Sequence, residues 1–509
     1  MAFFASHALA SLYDYHMFQL NSYKPEVQMN WLRRNFFSGY LWRHAIALII
    51  LPAAAVGPRA ALVTGVIAFS IQGWLNRPRK AKKPLVYTPR VKRMLIANAI
   101  LTAIFIVVSA TFSIRGEAVC LLIIFMHGPI LVLASNYINA PIEKSINKWY
   151  INDARRILAE NPALTVIGVT GSYGKTSTKH YLQKILSGKY NVLMTPESYN
   201  TTLGVVRTIR ENFRPVHNVF ICEMGAKGLG QIKEICDIVH PRYGVITSIG
   251  PQHLESFKTQ ENIITTKFEL AESLPDDGAA FLNYDNNFIR EYPLAKPKVT
   301  YGVENGAADY TARNVQVSSQ GSVFTARLSD GVERTFETRL IGRHNVENII
   351  GAIAVADKLG VRAEDIALGV RRLESVPHRL QLINRGGTII IDDAYNSNEQ
   401  GAAAALDALA MFDGFKILAT PGMIELGAAE DECNFRFGVK AAEVCDYVIL
   451  AGEKQTRSIL AGLKSGGFPE EKIFIAENLA RLFGRVESLD SGGRPKVVLL
   501  ENDLPDNYS

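Results

Sequence analysis

A glycine-rich segment that carries a lysine and several hydroxyl side chains occupies residues 170–177, with the sequence T-G-S-Y-G-K-T-S. It follows a β-type apolar run over 164–169 and precedes a helix-like stretch over 178–186. Backbone N–H groups at the start of a helix bind anions, and glycines let the backbone curl round a phosphate. The segment therefore predicts a nucleotide site whose contacting residues are Gly171, Ser172, Gly174, Lys175, Thr176 and Ser177.

Two side chains of this segment have separate predicted tasks. Lys175 is expected to reach the β- and γ-phosphates of ATP, and the Thr176 hydroxyl is expected to bind Mg²⁺. The segment departs from the standard G-x-x-x-x-G-K-[ST] pattern, because Val169 stands where the first glycine belongs and Gly168 lies one residue too early. The order of strand, loop and helix still favours nucleotide binding over an incidental glycine turn.

Polar side chains follow two further β-type runs. Glu223 comes directly after the run over 218–222, and His253 follows the run over 243–249. In an open parallel sheet, ligands bind at the carboxyl ends of the strands. Glu223 and His253 are therefore predicted to ligate the metal ion that bridges the phosphates.

The elements that must position these residues predict an α/β protein with two sheets. Short β-type runs with turn residues between 279 and 340 predict a β-rich edge of the first sheet. Strand-like and helix-like segments then alternate to the end of the chain, which predicts a second, Rossmann-like sheet. These strand-like runs lie at 388–391, 416–419 and 447–451, and the helix-like ones at 401–411 and 434–444.

Scattered motifs occur in a fixed order along this part of the chain. They are T-G-x-x-G-K-T at 170–176, E-M-G at 223–225, H-L-E at 253–255, G-R-H-N-V-E-N at 342–348, P-H-R-L at 377–380 and D-D-A-Y-N at 392–396. From about Thr165 to its C-terminus, the sequence resembles the Mur ligase family, the ATP-dependent amide ligases that build the peptide of bacterial peptidoglycan. The resemblance implies a central ATP-binding domain over 146–377 and a C-terminal domain over 378–509.

The resemblance also implies where the nucleotide lies. Asn345 and Asn348 are expected near it, with Asn345 facing the adenine. Arg379 and Asp393 are expected to complete the ATP site when the C-terminal domain closes. The positive charge of Arg379 would then act only in the closed enzyme, which limits wasteful hydrolysis.

A lysine on a later helix completes the implied catalytic set. Lys267, in T-T-K-F-E at 265–269, falls where many family members carry a carbamylated lysine that helps to hold a second Mg²⁺. Carbamylation needs a neutral amine, so its surroundings must lower the lysine pKa. The expected catalytic residues are Lys175, Lys267, His253 and Arg379, and the expected metal ligands are Thr176, Glu223, His253 and Lys267.

The chemistry that the resemblance implies is amide bond formation through an acyl phosphate. Four phrases resemble the MurF-type members, which add D-alanyl-D-alanine to UDP-N-acetylmuramoyl-tripeptide, so the expected partners are a muropeptide-type carboxylate and an amino acid or dipeptide amine. The phrases are E-S-Y-N-T-T-L-G at 197–204, C-E-M-G-A-K at 222–227, D-D-A-Y-N-S-N at 392–398 and M-I-E-L-G at 423–427. Two alternatives stay open: a related ligase that acts on a lipid-linked or other polymer acceptor, and a catalytically silent membrane scaffold.

The first 145 residues predict a membrane anchor in place of the domain with which MurF-type members grip the UDP-sugar. Residues 94–114 and 118–142 hold almost no charge, and shorter apolar runs lie at 45–57 and 60–75. We therefore expect an interfacial segment over 1–40 and transmembrane helices over 41–145. The eight basic residues between Arg77 and Arg93 predict a cytoplasmic loop. The expected protein is a multi-pass protein of the bacterial cell membrane with a lipid partner and cytoplasmic catalytic domains.

Composition narrows the function classes. The chain has 509 residues, a formal net charge of +6 and five cysteines without C-x-x-C spacing. That positive charge comes from the one basic segment, so a nucleic-acid binder, whose charge spreads along the binding face, is excluded. The cysteines are interpreted as reduced and buried.

Overall fold

The computed structural model describes residues 2–41, 44–77, 83–112, 114–251, 254–395, 398–424, 426 and 429–503. The chain divides into two compact units, Met1–Trp149 and Tyr150–Leu504. The finer limits at 146–377 and 378–509 stay a prediction.

The first unit is helical. Phe3, Ile50, Phe69 and Phe125 are buried together in its largest apolar cluster. Its short non-α turns are Phe36–Tyr40 and Ala45–Ile49. Its helices are α1 (Ala2–Leu20), α2 (Pro25–Arg34), α3 (Ile50–Val56), α4 (Pro58–Leu75), α5 (Pro89–Ser109), α6 (Ile114–Met126) and α7 (Gly128–Ala159), the last of which continues into the second unit.

The prediction of a multi-pass membrane protein is wrong. Within the ranges that the structure describes, α5 is the one helix that is long and apolar enough to cross a bilayer. A second candidate, Val119–Met126 with Gly128–Ala159, counts only if two helices bent by 67° form a single span. Four crossings, and the cell-membrane localisation that followed from them, are therefore contradicted, and the described residues do not support the expected lipid partner.

The prediction failed because the absence of charge in a run does not show where helices within that run end. The run over 45–57 forms a short 3₁₀ turn and the 7-residue α3, which ends at Val56, and after Gly57 a new helix starts at Pro58. The run over 118–142 breaks between Met126 and Gly128, next to Pro129, which cannot donate a helical hydrogen bond. Length and hydropathy therefore overestimated the number of straight apolar helices.

The second unit begins with a nine-stranded sheet in the order β2-β3-β1-β4-β5-β6-β7-β8-β9. The strands from β2 to β7 along this order are parallel, whereas β8 pairs antiparallel with both β7 and β9. This is the β-rich edge that the sequence predicted. The strands are β1 (Thr165–Thr170), β2 (Val192–Met194), β3 (Val219–Glu223), β4 (Tyr243–Ile246), β5 (Ala279–Asn283), β6 (Lys298–Gly302), β7 (Tyr310–Ser318), β8 (Gly321–Arg327) and β9 (Glu333–Thr338).

Helices cover both faces of this sheet. In β1, Ile167 and Val169 belong to one buried cluster, whereas Val166 belongs to the other, because alternate strand residues point to opposite faces. Burial on both faces explains why the parallel strands read as continuous apolar runs. The helices are α8 (Lys175–Leu186), α9 (Thr202–Asn212), α10 (Gln231–Val239), α11 (Leu254–Phe257), α12 (Gln260–Glu272), α13 (Asn287–Arg290), α14 (Arg343–Lys358) and α15 (Ala363–Arg371).

A second, six-stranded sheet follows in the order β10-β11-β15-β12-β13-β14. Only the edge strand β10 is antiparallel, so this is the doubly wound, Rossmann-like arrangement that the sequence predicted. Its strands are β10 (Gln381–Arg385), β11 (Thr388–Asp393), β12 (Phe415–Thr420), β13 (Tyr447–Ala451), β14 (Ile473–Ala476) and β15 (Lys496–Glu501), and its helices are α16 (Glu399–Ala410), α17 (Glu430–Val444), α18 (Arg457–Ser465) and α19 (Leu479–Ser488).

Candidate active site

The loop between β1 and α8 depends on two glycines. Gly171 and Gly174 have φ values of +153° and +79°, which side chains rarely adopt. A Cβ atom on Gly171 would lie 2.1 Å from Thr247 Oγ1, and one on Gly174 would lie 2.5 Å from Asn348 Oδ1. Since neither position has room for a side chain, the loop forms a cradle at the N-terminus of α8 that fits a phosphate group.

Residues that follow β4 form hydrogen bonds with this loop. Ser172 Oγ donates to the Gly250 carbonyl at 3.0 Å, and the Tyr173 N–H donates to Ser248 Oγ at 3.0 Å. Thr247 Oγ1 donates to the Tyr173 carbonyl at 2.5 Å. These contacts hold the cradle at the carboxyl edge of the parallel strands, where such sheets bind ligands.

Lys175 lies across the cradle. Its Nζ donates to the carbonyl oxygens of Gly171 at 2.6 Å and Ser172 at 2.9 Å. Burial lowers the pKa of the Lys175 amine to about 8, against the attraction of Glu223 and with a smaller lowering effect from Arg379. The ammonium group is thus in reach of any phosphate that binds the loop.

Glu223 lies at the end of β3, beside Thr176. Thr176 Oγ1 donates to Glu223 Oε1 at 3.2 Å, and Asn200 Nδ2 donates to the same oxygen at 3.0 Å. Burial alone would raise the pKa of Glu223, but the charges of Lys179 and Lys175 outweigh it and hold this pKa below its ordinary value. A hydroxyl and an ionised carboxylate are hard oxygen ligands, so this pair fits Mg²⁺.

Sequence reasoning missed Lys179 and Asn200. The Lys179 side chain is 0% exposed, and its Nζ lies 2.9 Å from Glu223 Oε2. The signal was present, because Lys179 follows Lys175 by four residues and so lies on the same face of α8. Asn200 lies in the phrase at 197–204 that resembles MurF-type members, but its approach to Glu223 depends on how the loop after β2 folds back.

Lys267 is buried on α12. Burial lowers its pKa well below the ordinary lysine value, and the charge of Lys175 lowers it further. Its Nζ lies 6.0 Å from the centre of the Phe257 ring. Burial and the charge of Lys175 both favour the neutral form of the amine, which is the form that carbamylation needs.

The two predicted asparagines lie on α14, and both contact α8. Tyr181 Oη donates to Asn345 Oδ1 at 2.7 Å, while Asn345 Nδ2 donates to the Ile341 carbonyl at 2.8 Å. Thr178 Oγ1 donates to Asn348 Oδ1 at 3.1 Å. Asn348 also packs against Gly174, so it supports the cradle directly.

Between these asparagines, Glu347 gives a testable pH dependence. Burial, with Asp285 and Glu304 nearby, raises its pKa to about 7. In the folded state Glu347 therefore keeps a proton that the unfolded chain loses above its ordinary pKa near 4.5, so its contribution to stability is present below pH 4.5 and is lost as the pH rises through 7. From pH 5 to pH 8, Glu347→Gln is expected to gain about 2 kcal/mol relative to the unsubstituted protein.

Urea unfolding of both proteins at several pH values measures this gain. Glu337→Gln, at an exposed carboxylate on β9, is the matched control and should show no pH-dependent gain. Parallel pH profiles for Glu347→Gln and the unsubstituted protein would contradict the raised pKa.

Arg379 and Asp393 lie where the two sheets of the second unit meet. Arg379 Nη2 donates to Thr176 Oγ1 at 3.5 Å, and its guanidinium lies 4.4 Å from the centre of the Tyr395 ring. Asp393 Oδ1 accepts from the Leu380 N–H at 3.0 Å, and burial raises the pKa of Asp393 to about 6. The structure thus brings Arg379 to the phosphate loop, while Asp393 shapes the chain that carries Arg379.

His253, predicted as a catalytic group and metal ligand, lies outside the described residues. In the part of the chain that is described, no three His, Cys, Asp or Glu side chains form a cluster able to hold a metal ion. The metal-binding roles of Thr176, Glu223, His253 and Lys267 therefore stay predictions.

Comparisons with known proteins agree with this geometry. Residues 169–356 match the Mur ligase middle domain, and residues 378–500 match the Mur ligase glutamate ligase domain. The UDP-N-acetylmuramoyl-tripeptide–D-alanyl-D-alanine ligase of Escherichia coli is 31% identical over 335 residues, which cover 63% of this chain and 73% of that protein. The chain belongs to the Mur ligase family. The resemblance that the motifs indicated is therefore confirmed, as is the prediction of an ATP-dependent carboxylate–amine ligase.

Other Mur ligases match over similar lengths. The ligase of the same name from Bacillus subtilis is 34% identical, and the match covers 57% of this chain and 63% of that protein. MurF from Acinetobacter baumannii superimposes with a TM-score of 0.63 at 27% identity, covering 70% of this chain and 77% of that one. MurF from Thermotoga maritima in complex with ADP gives a TM-score of 0.62 at 25% identity, covering 70% and 80%. These matches agree with the Mur ligase fold of the second unit.

Proposed function

We propose that this Mur ligase joins D-alanyl-D-alanine to the terminal carboxylate of UDP-N-acetylmuramoyl-tripeptide and converts ATP to ADP and phosphate. The observation that carries the proposal is the placement of Lys175, Glu223 and Arg379 around one phosphate cradle. The names of the E. coli and B. subtilis relatives supply the two substrates.

The reaction has two steps. A carboxylate oxygen of the tripeptide attacks the γ-phosphorus, which forms an acyl phosphate and releases ADP. The amine of D-alanyl-D-alanine then attacks the acyl carbon, the bond to the phosphate oxygen breaks, and the amine loses a proton. Phosphate leaves and an amide remains.

The main obstacle is repulsion between the carboxylate and the γ-phosphate. The Lys175 ammonium would bind the phosphates as they enter the cradle, and the Arg379 guanidinium would add a second positive charge beside Thr176. Thr176 and Glu223 would hold Mg²⁺, which supplies further charge neutralisation when bound. A site lined by these groups stabilises charge that develops on the transferred phosphoryl group.

Lys267 is proposed to carry a carbamate that holds a second Mg²⁺. Burial lowers the pKa of its amine, and the neutral amine could attack CO₂ and lose a proton to form the carbamate. Protein incubated with ¹³C-bicarbonate should show a carbamate carbon signal by NMR that Lys267→Met lacks. The same spectrum from both proteins would reject this assignment.

The adenine end of the nucleotide is proposed to lie against Asn345. Asn345 is held by Tyr181 and by the Ile341 carbonyl, and Asn348 is held by Thr178. These bonds fix both amides without substrate, which reduces the entropy lost when the nucleotide binds.

Phosphate release tests the proposed substrates. Purified protein is given ATP, Mg²⁺ and UDP-N-acetylmuramoyl-tripeptide with D-alanyl-D-alanine, D-alanine or L-alanyl-L-alanine, and Lys175→Ala is the blank. Release and a mass increase of the acceptor are expected only with D-alanyl-D-alanine. Ligation of single D-alanine alone would reject the dipeptide, and ATP binding without any ligation would reject the acceptor.

Arg379 gives a further prediction, which concerns the chemical step. Arg379→Ala is expected to lower kcat about 100-fold and to change ADP affinity less than threefold. The reason is that the Arg379 guanidinium is proposed to act on the γ-phosphoryl group, which is transferred, and not on the two phosphates that remain in ADP. Tyr395→Phe, which keeps the ring under Arg379, is the control and should lose far less. Equal losses in kcat and in ADP affinity for Arg379→Ala would contradict the assignment.

A further inference from the structure

Helix α8 carries a second buried lysine one turn after Lys175. Lys179 pairs with Glu223 Oε2 at 2.9 Å, and its Nζ also donates to the Glu197 carbonyl at 2.6 Å. The phosphate cradle does not explain Lys179, because Lys175 contacts the cradle carbonyls and Lys179 does not. Its two partners belong to different segments, the end of β3 and the loop after β2.

Stability alone does not explain a lysine at this position. Removing an ammonium group and a carboxylate from water costs several kcal/mol, and apolar residues of similar size often stabilise a fold as well or better. What a buried ion pair does supply is geometry, because it fixes where the carboxylate lies relative to the ammonium. Here Lys179 forms an ion pair with Oε2, which accepts no hydrogen bond within the described residues, while Thr176 and Asn200 donate hydrogen bonds to Oε1.

The segment that Lys179 contacts is the loop of residues 197–200. Asn200 reaches Glu223 from this loop, and the Gly225 N–H donates back to the Asn200 carbonyl at 2.7 Å. Glu197 adopts a φ of +41°, a strained value for a residue with a side chain. Lys179 bonds to the carbonyl of this same strained residue, so it helps to hold the loop in place.

The loop also reaches the second sheet. Ser198 Oγ forms a hydrogen bond with Tyr395 Oη, and Tyr395 lies under Arg379. Contacts therefore run from Lys179 through the 197–200 loop to the residue that supports Arg379. A change at Lys179 acts on Glu223 and on this loop at once.

We propose that Lys179 is a positioning residue: it fixes Glu223 for binding Mg²⁺ and anchors the 197–200 loop against it. The effect of Lys179 on catalysis rests on the proposed function. Its test uses ADP, Mg²⁺ and hydrogen exchange, which need no acceptor. If the protein bound ADP with Mg²⁺ but ligated nothing, the proposed function would fail and this inference would still be tested.

The first variant is Lys179→Met, which removes the ammonium and keeps a chain of similar length. Two results are expected. The Mg²⁺ concentration that gives half of the maximal increase in ADP affinity should rise at least tenfold, and the backbone amides of the 197–200 loop should exchange hydrogen at least tenfold faster. In a full assay, kcat should fall while the KM for the muropeptide changes less than threefold. Lys184→Met, at an exposed lysine on α8, is the matched control and should match the unsubstituted protein in all three.

A second pair of variants covers the case in which Lys179→Met does not fold. Lys179→Met/Glu223→Gln removes both buried charges, and Glu223→Gln alone differs from it only at residue 179. Loop exchange at least tenfold faster in the double variant than in Glu223→Gln is expected. Equal exchange in those two proteins, or a Mg²⁺ response within twofold of normal in Lys179→Met, would overturn the proposal and leave Lys179 a structural residue.

Discussion

Lys175→Ala is expected to lower kcat/KM for ATP about a thousandfold, which corresponds to roughly 4 kcal/mol of transition-state stabilisation. The Lys175 ammonium is the cation that lies directly on the cradle, within 2.9 Å of two loop carbonyls. Alanine removes the charge and leaves those carbonyls facing the incoming phosphates. Repulsion then replaces attraction where the γ-phosphate must bind.

The pH dependence of activity is a second, independent test of the role of Lys175. Because burial lowers the pKa of Lys175 to about 8, the free protein loses this positive charge as the pH rises through 8. The kcat/KM for ATP is therefore expected to fall above pH 8, whereas kcat, measured with phosphates bound, should fall at a higher pH.

Phosphate release from pH 6.5 to pH 9.5 measures both quantities. Lys184→Ala, at an exposed lysine on the same helix, is the control and should keep full activity. Activity of Lys175→Ala within tenfold of the unsubstituted protein would remove Lys175 from the proposed mechanism.

Gly174→Ala is expected to weaken ADP binding at least a hundredfold. The new Cβ atom would lie 2.5 Å from Asn348 Oδ1, a distance that real Cβ contacts essentially never show. Either Asn348 must move and lose its hydrogen bond from Thr178, or the start of α8 must move, which turns away the N–H groups that face the phosphates. Backbone strain adds to this, since Gly174 has a φ of +79°.

A second glycine separates the effect of the collision with Asn348 from the effect of backbone strain. Gly230 precedes α10 with a φ of +80°, and a Cβ atom there would meet nothing within 4 Å. Gly230→Ala therefore imposes the same backbone strain without the collision, and it should cost about 1 kcal/mol of stability with ADP affinity unchanged. Calorimetric titration of ADP with Mg²⁺ compares the two variants. Equal affinities would show that the space above Gly174 does not matter.

Local sequence predicted the parts of this protein that local chemistry builds. A β-type run, two glycines, a lysine and a helix-forming stretch lie within about twenty residues, and each restricts its neighbours' backbone. The predicted cradle could therefore be assigned residue by residue. The two-sheet α/β fold was predicted for a similar reason, because buried parallel strands read as continuous apolar runs.

The membrane prediction failed because composition does not report where helices end. The apolar runs in the first unit are broken near Gly57 and between Met126 and Gly128, so described residues form shorter or bent helices. Hydropathy sums over such breaks. A count of membrane crossings therefore needs the positions of glycine and proline as well as the charges.

What the sequence determined by itself was the Mur ligase family and the α/β fold of the second unit, and it predicted the residues expected to carry the phosphate chemistry. Only the tertiary structure decided what surrounds Glu223. Lys179, Asn200 and Arg379 are up to 200 residues apart in the sequence, yet each lies within hydrogen-bond or ion-pair distance of Glu223 or of its neighbour Thr176. Burial lowers the pKa of Lys267 in the same way. Contacts between distant segments and the loss of water are properties of the packed chain, and no local pattern encodes them.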